Sequence, residues 1–117
     1  MCMITRVPTP FSYSSAVSAG DYVFLGLHRG FGDDFTAQFH GTLQGIQDTL
    51  TKCGCSLEQL VKVNVYLKHI QDLPEMEKVF FEYFEQNHCP ARMTTTTEFF
   101  DKDCLLMIDG IAYRGAE

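Results

Sequence analysis

Pro90-Ala91-Arg92 places a permanent cation at the start of a strand-like segment. Residues 93–97, one Met and four Thr, follow it. Threonine is β-branched and suits a pleated strand, while Pro90 has no N–H to donate and marks the beginning of the strand. The guanidinium of Arg92 carries a planar fork of donors that matches a carboxylate or a phosphate. Arg92 is therefore a candidate anion anchor, and a surface ion pair is the alternative interpretation.

The length, composition and charge of the chain limit the kinds of protein that it can be. The chain has 117 residues, of which 45% are hydrophobic and 21% are charged, so we expect one globular domain spanning residues 1–117. Its formal net charge of -6 opposes binding to nucleic acid. No apolar stretch is long enough for a membrane span and no signal-peptide pattern begins the chain, so we expect a cytoplasmic protein.

Cysteine and histidine spacing gives no sign of a metal or a cofactor. An odd number of cysteines in an unsecreted chain predicts reduced thiols. They are Cys2, Cys53, Cys55, Cys89 and Cys104. Cys53-Gly54-Cys55 lacks the two-residue spacing of a redox pair, and the four histidines are scattered without the spacing of metal ligands.

Hydrophobic periodicity predicts the elements that would position these residues. Strands are predicted at 12–17, 22–27, 61–67, 93–97 and 104–113, with Val61, Val63, Val65 and Leu67 sharing one buried face. Between the second and third strands, Gly26, Gly30 and Gly32 predict a short flexible loop, since they lack the spacing of a phosphate-binding loop.

Two helices are predicted from a 3.6-residue period. The first begins at about residue 34, carries the apolar stripe Phe39, Leu43, Ile46 and Leu50, and ends near Gly54. The second, at 72–87, opens with a capping-box pattern at Asp72 and Glu75 and buries Met76, Val79, Phe80, Tyr83 and Phe84.

The order β-β-α-β-α-β-β predicts an α+β fold of two layers, with both helices on one face of a sheet. The other face of the sheet then needs cover. We therefore expect a small homo-oligomer in which sites lie between subunits.

Six short segments together resemble one known family. They are Tyr13-Ser14-Ser15-Ala16-Val17, Ala19-Gly20-Asp21-Tyr22-Val23-Phe24, Gly54-Cys55-Ser56-Leu57-Glu58-Gln59-Leu60-Val61-Lys62, Val65-Tyr66-Leu67, Tyr83-Phe84 and Pro90-Ala91-Arg92. Over residues 8–113 they resemble the Rid (YjgF-like) family of reactive intermediate deaminases. The resemblance implies a chorismate-mutase-like fold assembled as a homotrimer, with three clefts between subunits.

The resemblance also implies an activity, the hydrolysis of short-lived enamines and imines to 2-keto acids and ammonia without a cofactor. Arg92 stands where the family's arginine holds the substrate carboxylate. Tyr13 matches an aromatic residue that lines the cleft, and Thr94 stands where many members carry a cysteine. Gly26-Leu27-His28 replaces a Ser-Gly-Gln segment, so Gly26 is placed among the substrate-binding residues.

One departure from the family concerns the catalytic base. The deaminating members carry a water-positioning glutamate fifteen residues after the arginine, and this chain has Met107 there. Asp109, on the same face of the strand, and His28, which titrates near neutrality, are the candidate substitutes. A second departure is Glu77, which replaces an asparagine common in the second helix. A non-catalytic module that binds small carboxylates is the alternative function.

Overall fold

The computed structural model describes residues 3–115. They form a single sheet of six strands with two α-helices, joined by turns and loops. In chain order the elements are β1 (Ile4–Pro8), β2 (Ser14–Ala19), β3 (Tyr22–His28), α1 (Phe35–Lys52), β4 (Leu60–Leu67), α2 (Leu73–Phe80), β5 (Ala91–Thr96) and β6 (Leu106–Tyr113). The strand order across the sheet is β1-β2-β3-β6-β4-β5, in which only the β4–β5 pair is parallel. The predicted α+β class is confirmed.

Each predicted strand is present with bounds within two residues of the prediction, but the sequence analysis missed β1. This strand has five residues, pairs only with β2 and is mostly exposed. A short edge strand with so little burial leaves no alternating pattern in the sequence.

The period-two pleat sorts the side chains of each strand onto two faces. On β6, Leu106 and Ile108 are buried against the helices, while Met107 and Asp109 are half-buried on the opposite side. We call the side that packs against α1 and α2 the helix face, and the opposite side the open face. The hydrophobic core lies between the helix face and the two helices.

The first helix follows the prediction closely. Asp34 is its N-cap, with a carboxylate oxygen that accepts the backbone N–H of Ala37 at 2.8 Å. The four residues of the predicted stripe, Phe39, Leu43, Ile46 and Leu50, are each at most 2% exposed. Gly54 follows the helix in the left-handed region at φ +73°, a conformation that glycine adopts without steric cost.

The second helix is shorter than predicted. It ends at Phe80 rather than near Asn87, so Tyr83 and Phe84 pack from the turns that follow it. The predicted capping box is wrong. Asp72 has a helical backbone and makes no capping bond, because it already ends a short 3-10 turn, and Glu75 accepts a hydrogen bond from Thr36 Oγ1 at 2.8 Å instead.

Two local predictions are also corrected by backbone irregularities. The register of β4 against β6 shifts between Leu60 and Lys62, so Leu60 is buried and Val61 is 46% exposed. The glycine segment is not a flexible loop: Gly26 belongs to β3, and a Cβ on Gly30 would lie 2.4 Å from the carbonyl oxygen of Gln38. Gly30 therefore lets the chain pass directly against α1.

The cysteines at positions 53, 55, 89 and 104 are free thiols, and Cys2 lies outside the described residues. Neither α-helix in residues 3–115 has the length and apolar character that crossing a membrane requires.

Candidate functional site

Arg92 lies on the edge strand β5 and points to the helix face, because its register partner on β4 is the buried Val63. Its Nη2 donates to the carboxylate of Glu77 on α2. Its guanidinium carbon lies 5.1 Å from the centroid of the Phe80 ring, within range of a cation–π contact. Two contacts therefore hold this cation in position.

A cavity of about 270 Å³ adjoins the guanidinium. Its lining residues are Glu77, Phe80, Phe81, Cys89, Pro90 and Arg92. A guanidinium has five N–H donors, and in the described part of the chain Glu77 is the one hydrogen-bond acceptor of this group. The ion pair that sequence analysis held as the alternative is thus present, yet it leaves donors of Arg92 available to a ligand.

Thr94 lies on the same strand and the same face as Arg92, since it is in register with the buried Val65. Two residues along a strand correspond to roughly 6–7 Å. The structure therefore brings these two predicted residues to one edge of the sheet.

Asp109 belongs to a second group of polar side chains, on the open face. Its carboxylate accepts hydrogen bonds from Asn64 Nδ2 at 2.8 Å and from the Tyr66 hydroxyl at 3.5 Å. Burial, assisted by the negative charge of Asp109, raises the pKa of Tyr66 and keeps its hydroxyl protonated as a donor. Met107 lies on the same face of β6, opposite Tyr66.

Gly26 joins this second group. Leu25 pairs with Gly110 and His28 with Ile108, so the intervening residues of β3 lie opposite Asp109. A Cβ on Gly26 would lie 3.0 Å from the carbonyl oxygen of Ser14.

Tyr13 directly precedes Ser14, so it is close to the backbone of β3. Its side chain is 55% exposed and stacks on Phe11, with ring centroids 6.3 Å apart. The structure therefore places Tyr13 just before the start of β2, with an exposed ring that a ligand or a second chain can contact.

His28 is turned to the helix face, away from Asp109. Its Nδ1 donates to the Gly26 carbonyl at 2.8 Å, and in the neutral ring Nε2 accepts from Thr49 Oγ1 of α1 at 2.9 Å. Burial lowers the pKa of His28, against the opposing effect of the Gly26 carbonyl. The Nε2 bond thus holds the end of β3 against α1, and the Nδ1 bond fixes the ring within β3.

The predicted site residues therefore form two separate groups within one chain. Arg92 and Thr94 lie on the helix face of β5, whereas Met107 and Asp109 lie on the open face of β6, with β4 between the two strands. Two strand spacings amount to about 10 Å, and the backbone of the sheet lies between the two faces. A single cleft that contains both groups requires a second copy of the chain. Nowhere in residues 3–115 do three His, Cys, Asp or Glu side chains lie close enough together to hold a metal ion.

Comparison with known proteins identifies the family. The family model described as Endoribonuclease L-PSP matches residues 3–114. A RutC family protein of Pyrococcus horikoshii is 34% identical, in an alignment that covers 93% of each chain. The chain belongs to the Rid (YjgF-like) family. This confirms the resemblance drawn from its six short segments.

Other Rid family members agree with this assignment. A YjgF family protein of Streptococcus pyogenes has a solved structure that superposes with a TM-score of 0.88 at 29% identity, covering 97% of this chain and 98% of that one. A 2-iminobutanoate/2-iminopropanoate deaminase of Dermatophagoides farinae is 26% identical over 89% of this chain and 88% of its own length.

Glu77 is the site residue that sequence analysis did not connect with Arg92. Its proximity to Arg92 follows from the packing of α2 on β5 rather than from any spacing in the sequence. The one signal in the sequence that could have pointed to Glu77 was its negative charge at a position where the family resemblance implies a neutral residue.

We expect the His28→Gln variant to lose less stability on acidification than the natural protein does. Because folding lowers the pKa of His28, the unfolded chain takes up the proton first, and stability falls as the pH drops from about 7 through 6.5 toward 5. Glutamine does not titrate. Free energies of unfolding from urea titrations at several pH values measure the difference, with the exposed His69→Gln as the control. Equal pH slopes for the natural protein and His28→Gln would contradict the assignment.

Proposed function

We propose that this protein hydrolyses small imines or enamines that carry a carboxylate, releasing a 2-keto acid and ammonia, in clefts between the subunits of a homotrimer. One observation carries the proposal: Arg92 is held by Glu77 and Phe80 beside a small cavity, with donors left over for an anion. The deaminase of Dermatophagoides farinae, 26% identical to this chain, supports the same chemistry.

Arg92 would act by orienting the substrate. A bidentate pair between the remaining guanidinium donors and a planar carboxylate fixes the plane of a conjugated imine. Fixing that plane presents the imine carbon to a water molecule from one side, which lowers the entropic cost of attack. The cavity of about 270 Å³ suits a substrate of a few carbon atoms.

A second copy of the chain would complete the site. The open face exposes large apolar side chains, among them Tyr22 (47%), Phe24 (46%) and Met93 (59%), and burying such a patch favours association. In the proposed trimer, the open face of one subunit covers the β5 edge of its neighbour. Asp109 and Met107 would then lie across the cleft from Arg92.

Asp109 is the carboxylate that we assign to the attacking water. It would accept a proton from the water as the water oxygen bonds to the imine carbon. It would then return this proton to the nitrogen, so that the carbinolamine collapses to a C=O group, the C–N bond breaks and ammonia leaves. Asn64 and Tyr66 hold this carboxylate in place. We assign no proton transfer to His28, because both of its ring nitrogens are engaged within the fold.

A binding module for small carboxylates is the second candidate. Met107 favours it, since a thioether cannot position water as a carboxylate does, and general acid–base help is typically worth about 10²–10⁴-fold in rate. A nuclease function, which the description of the family model suggests, is disfavoured by the net charge of -6.

We expect Arg92→Ala to lower kcat/KM for imine hydrolysis by about 100-fold, because the variant leaves the substrate carboxylate without its charged partner. Arg92→Lys should lower kcat/KM about tenfold, since lysine keeps the positive charge but not the planar fork of donors. The assay follows 2-keto acid formation from an imine that an amino acid oxidase generates in place. Lys78→Ala, which removes an exposed cation of α2, is the matched control and should retain full activity. Full activity in Arg92→Ala would refute the anchor.

Met107→Glu separates the enzyme from the binding module. If the open face of a neighbouring subunit lines the cleft, a carboxylate at position 107 should raise kcat at least tenfold with little change in KM. Met107→Gln, which has a similar shape but no charge, should give no gain. An unchanged rate in Met107→Glu, together with Arg92-dependent binding of 2-oxobutanoate, would favour the binding module over the enzyme.

A further inference from the structure

A carboxylate and a guanidinium lie side by side at the cavity. The Glu77 carboxylate accepts from Arg92 Nη2 through Oε2, and Oε1 has no hydrogen-bond donor among residues 3–115. The side chains of Glu77 and Arg92 are 47% and 28% exposed, so a ligand can reach both. The cavity therefore offers a small molecule one negative and one positive group in direct contact.

We propose that Glu77 binds the protonated nitrogen of the substrate while Arg92 binds its carboxylate, so that the site selects zwitterionic 2-imino and 2-amino acids over 2-keto acids. This inference rests on the proposed function, in which Arg92 holds a substrate carboxylate. It adds a residue that determines specificity and defines the charge state of the substrate.

The geometry of the ligand matches the geometry of the pair. In a 2-iminium or 2-ammonium carboxylate, the cationic nitrogen and the carboxylate are attached to neighbouring carbon atoms. Such a ligand presents its two charges at the same short separation as Arg92 and Glu77 do, in the opposite order. Each charge of the ligand then meets its opposite in the protein, and a hydrogen bond between charged groups is stronger than one between neutral groups.

A 2-keto acid fits this pair poorly. It has the carboxylate for Arg92 but no cation for Glu77, so it brings a second negative charge next to the Glu77 carboxylate. The repulsion between two like charges about 5 Å apart near a protein surface corresponds to about tenfold or more in affinity.

The same difference in charge between the imino acid substrate and the keto acid product favours turnover. In the overall reaction, a 2-iminium acid and one water give a 2-keto acid and an ammonium ion: the water oxygen forms the new C=O bond, and the C–N bond breaks. Glu77 attracts the iminium form, which is the more electrophilic form of an imine, before the reaction. After it the cation has left, and the product carboxylate is repelled by Glu77 and released.

The rest of the cavity offers apolar surface to the ligand. Phe81, which is 55% exposed, and Pro90 supply apolar surface beside the charged pair. Together with the volume of about 270 Å³, these walls suit a short alkyl side chain. Four-carbon acids are therefore suitable probes.

The test measures the affinities of 2-aminobutanoate and 2-oxobutanoate by calorimetry. The two probes share a carbon skeleton and differ in the cationic nitrogen. The natural protein should bind the amino acid at least tenfold more tightly. Glu77→Gln should bring the ratio of the two affinities to about one, because it weakens binding of the amino acid and strengthens binding of the keto acid. Glutamine keeps an acceptor for Arg92, and a partly exposed ion pair contributes little to folding, so this variant should fold.

Glu82→Gln is the matched control, because it removes one negative charge just after the same helix at an exposed residue that has no side-chain contact with Arg92. It should keep the natural preference. If the natural protein does not prefer the amino acid, or if Glu77→Gln keeps the preference, the inference about Glu77 is overturned, while keto-acid binding that Arg92→Ala abolishes would still support the proposed anchor. If neither probe binds, or both bind equally well to Arg92→Ala, the anchor and the inference fail together.

Discussion

The alternation of side chains along a pleated strand is the constraint on which the rest of this structure depends. It buries Leu106 and Ile108 under the helices and, by the same period of two, turns Met107 and Asp109 to the open face. Arg92 is placed by the same rule on the helix face of an edge strand. One chain therefore carries the two groups of candidate residues on opposite faces and cannot bring them together, so the proposed function requires a second copy.

The contact between Arg92 and Glu77 changes the meaning of the anchor. An arginine alone at the mouth of a cavity would accept any small carboxylate, whereas an arginine already paired with a carboxylate favours a ligand that satisfies both charges. The Phe80 ring adds a second contact to the same guanidinium, at 5.1 Å from its central carbon to the ring centroid. Within this chain, position 107 on β6 carries the uncharged Met107, and the carboxylate that contacts Arg92 is that of Glu77 on α2.

Sequence patterns predicted the regular parts of the fold and failed where the backbone departs from regularity. The stripe on α1 was predictable because Phe39 and its partners all face one core. Val61 was not, because the register shift beside it moves its side chain out of the buried row. The placement of His28 was not predictable for a similar reason. Uninterrupted alternation from the buried Leu25 would put His28 on the open face with Asp109, whereas the irregularity between Leu25 and His28 turns it under α1.

A crystal structure of the protein with bound 2-aminobutanoate tests the central claim most directly. The account predicts that the ligand carboxylate lies on Arg92 and its nitrogen on Glu77 of one subunit, with Met107 and Asp109 of a neighbouring subunit across the same cleft. A ligand bound elsewhere would contradict it. So would an assembly in which Arg92 faces solvent while the open face of every subunit remains uncovered.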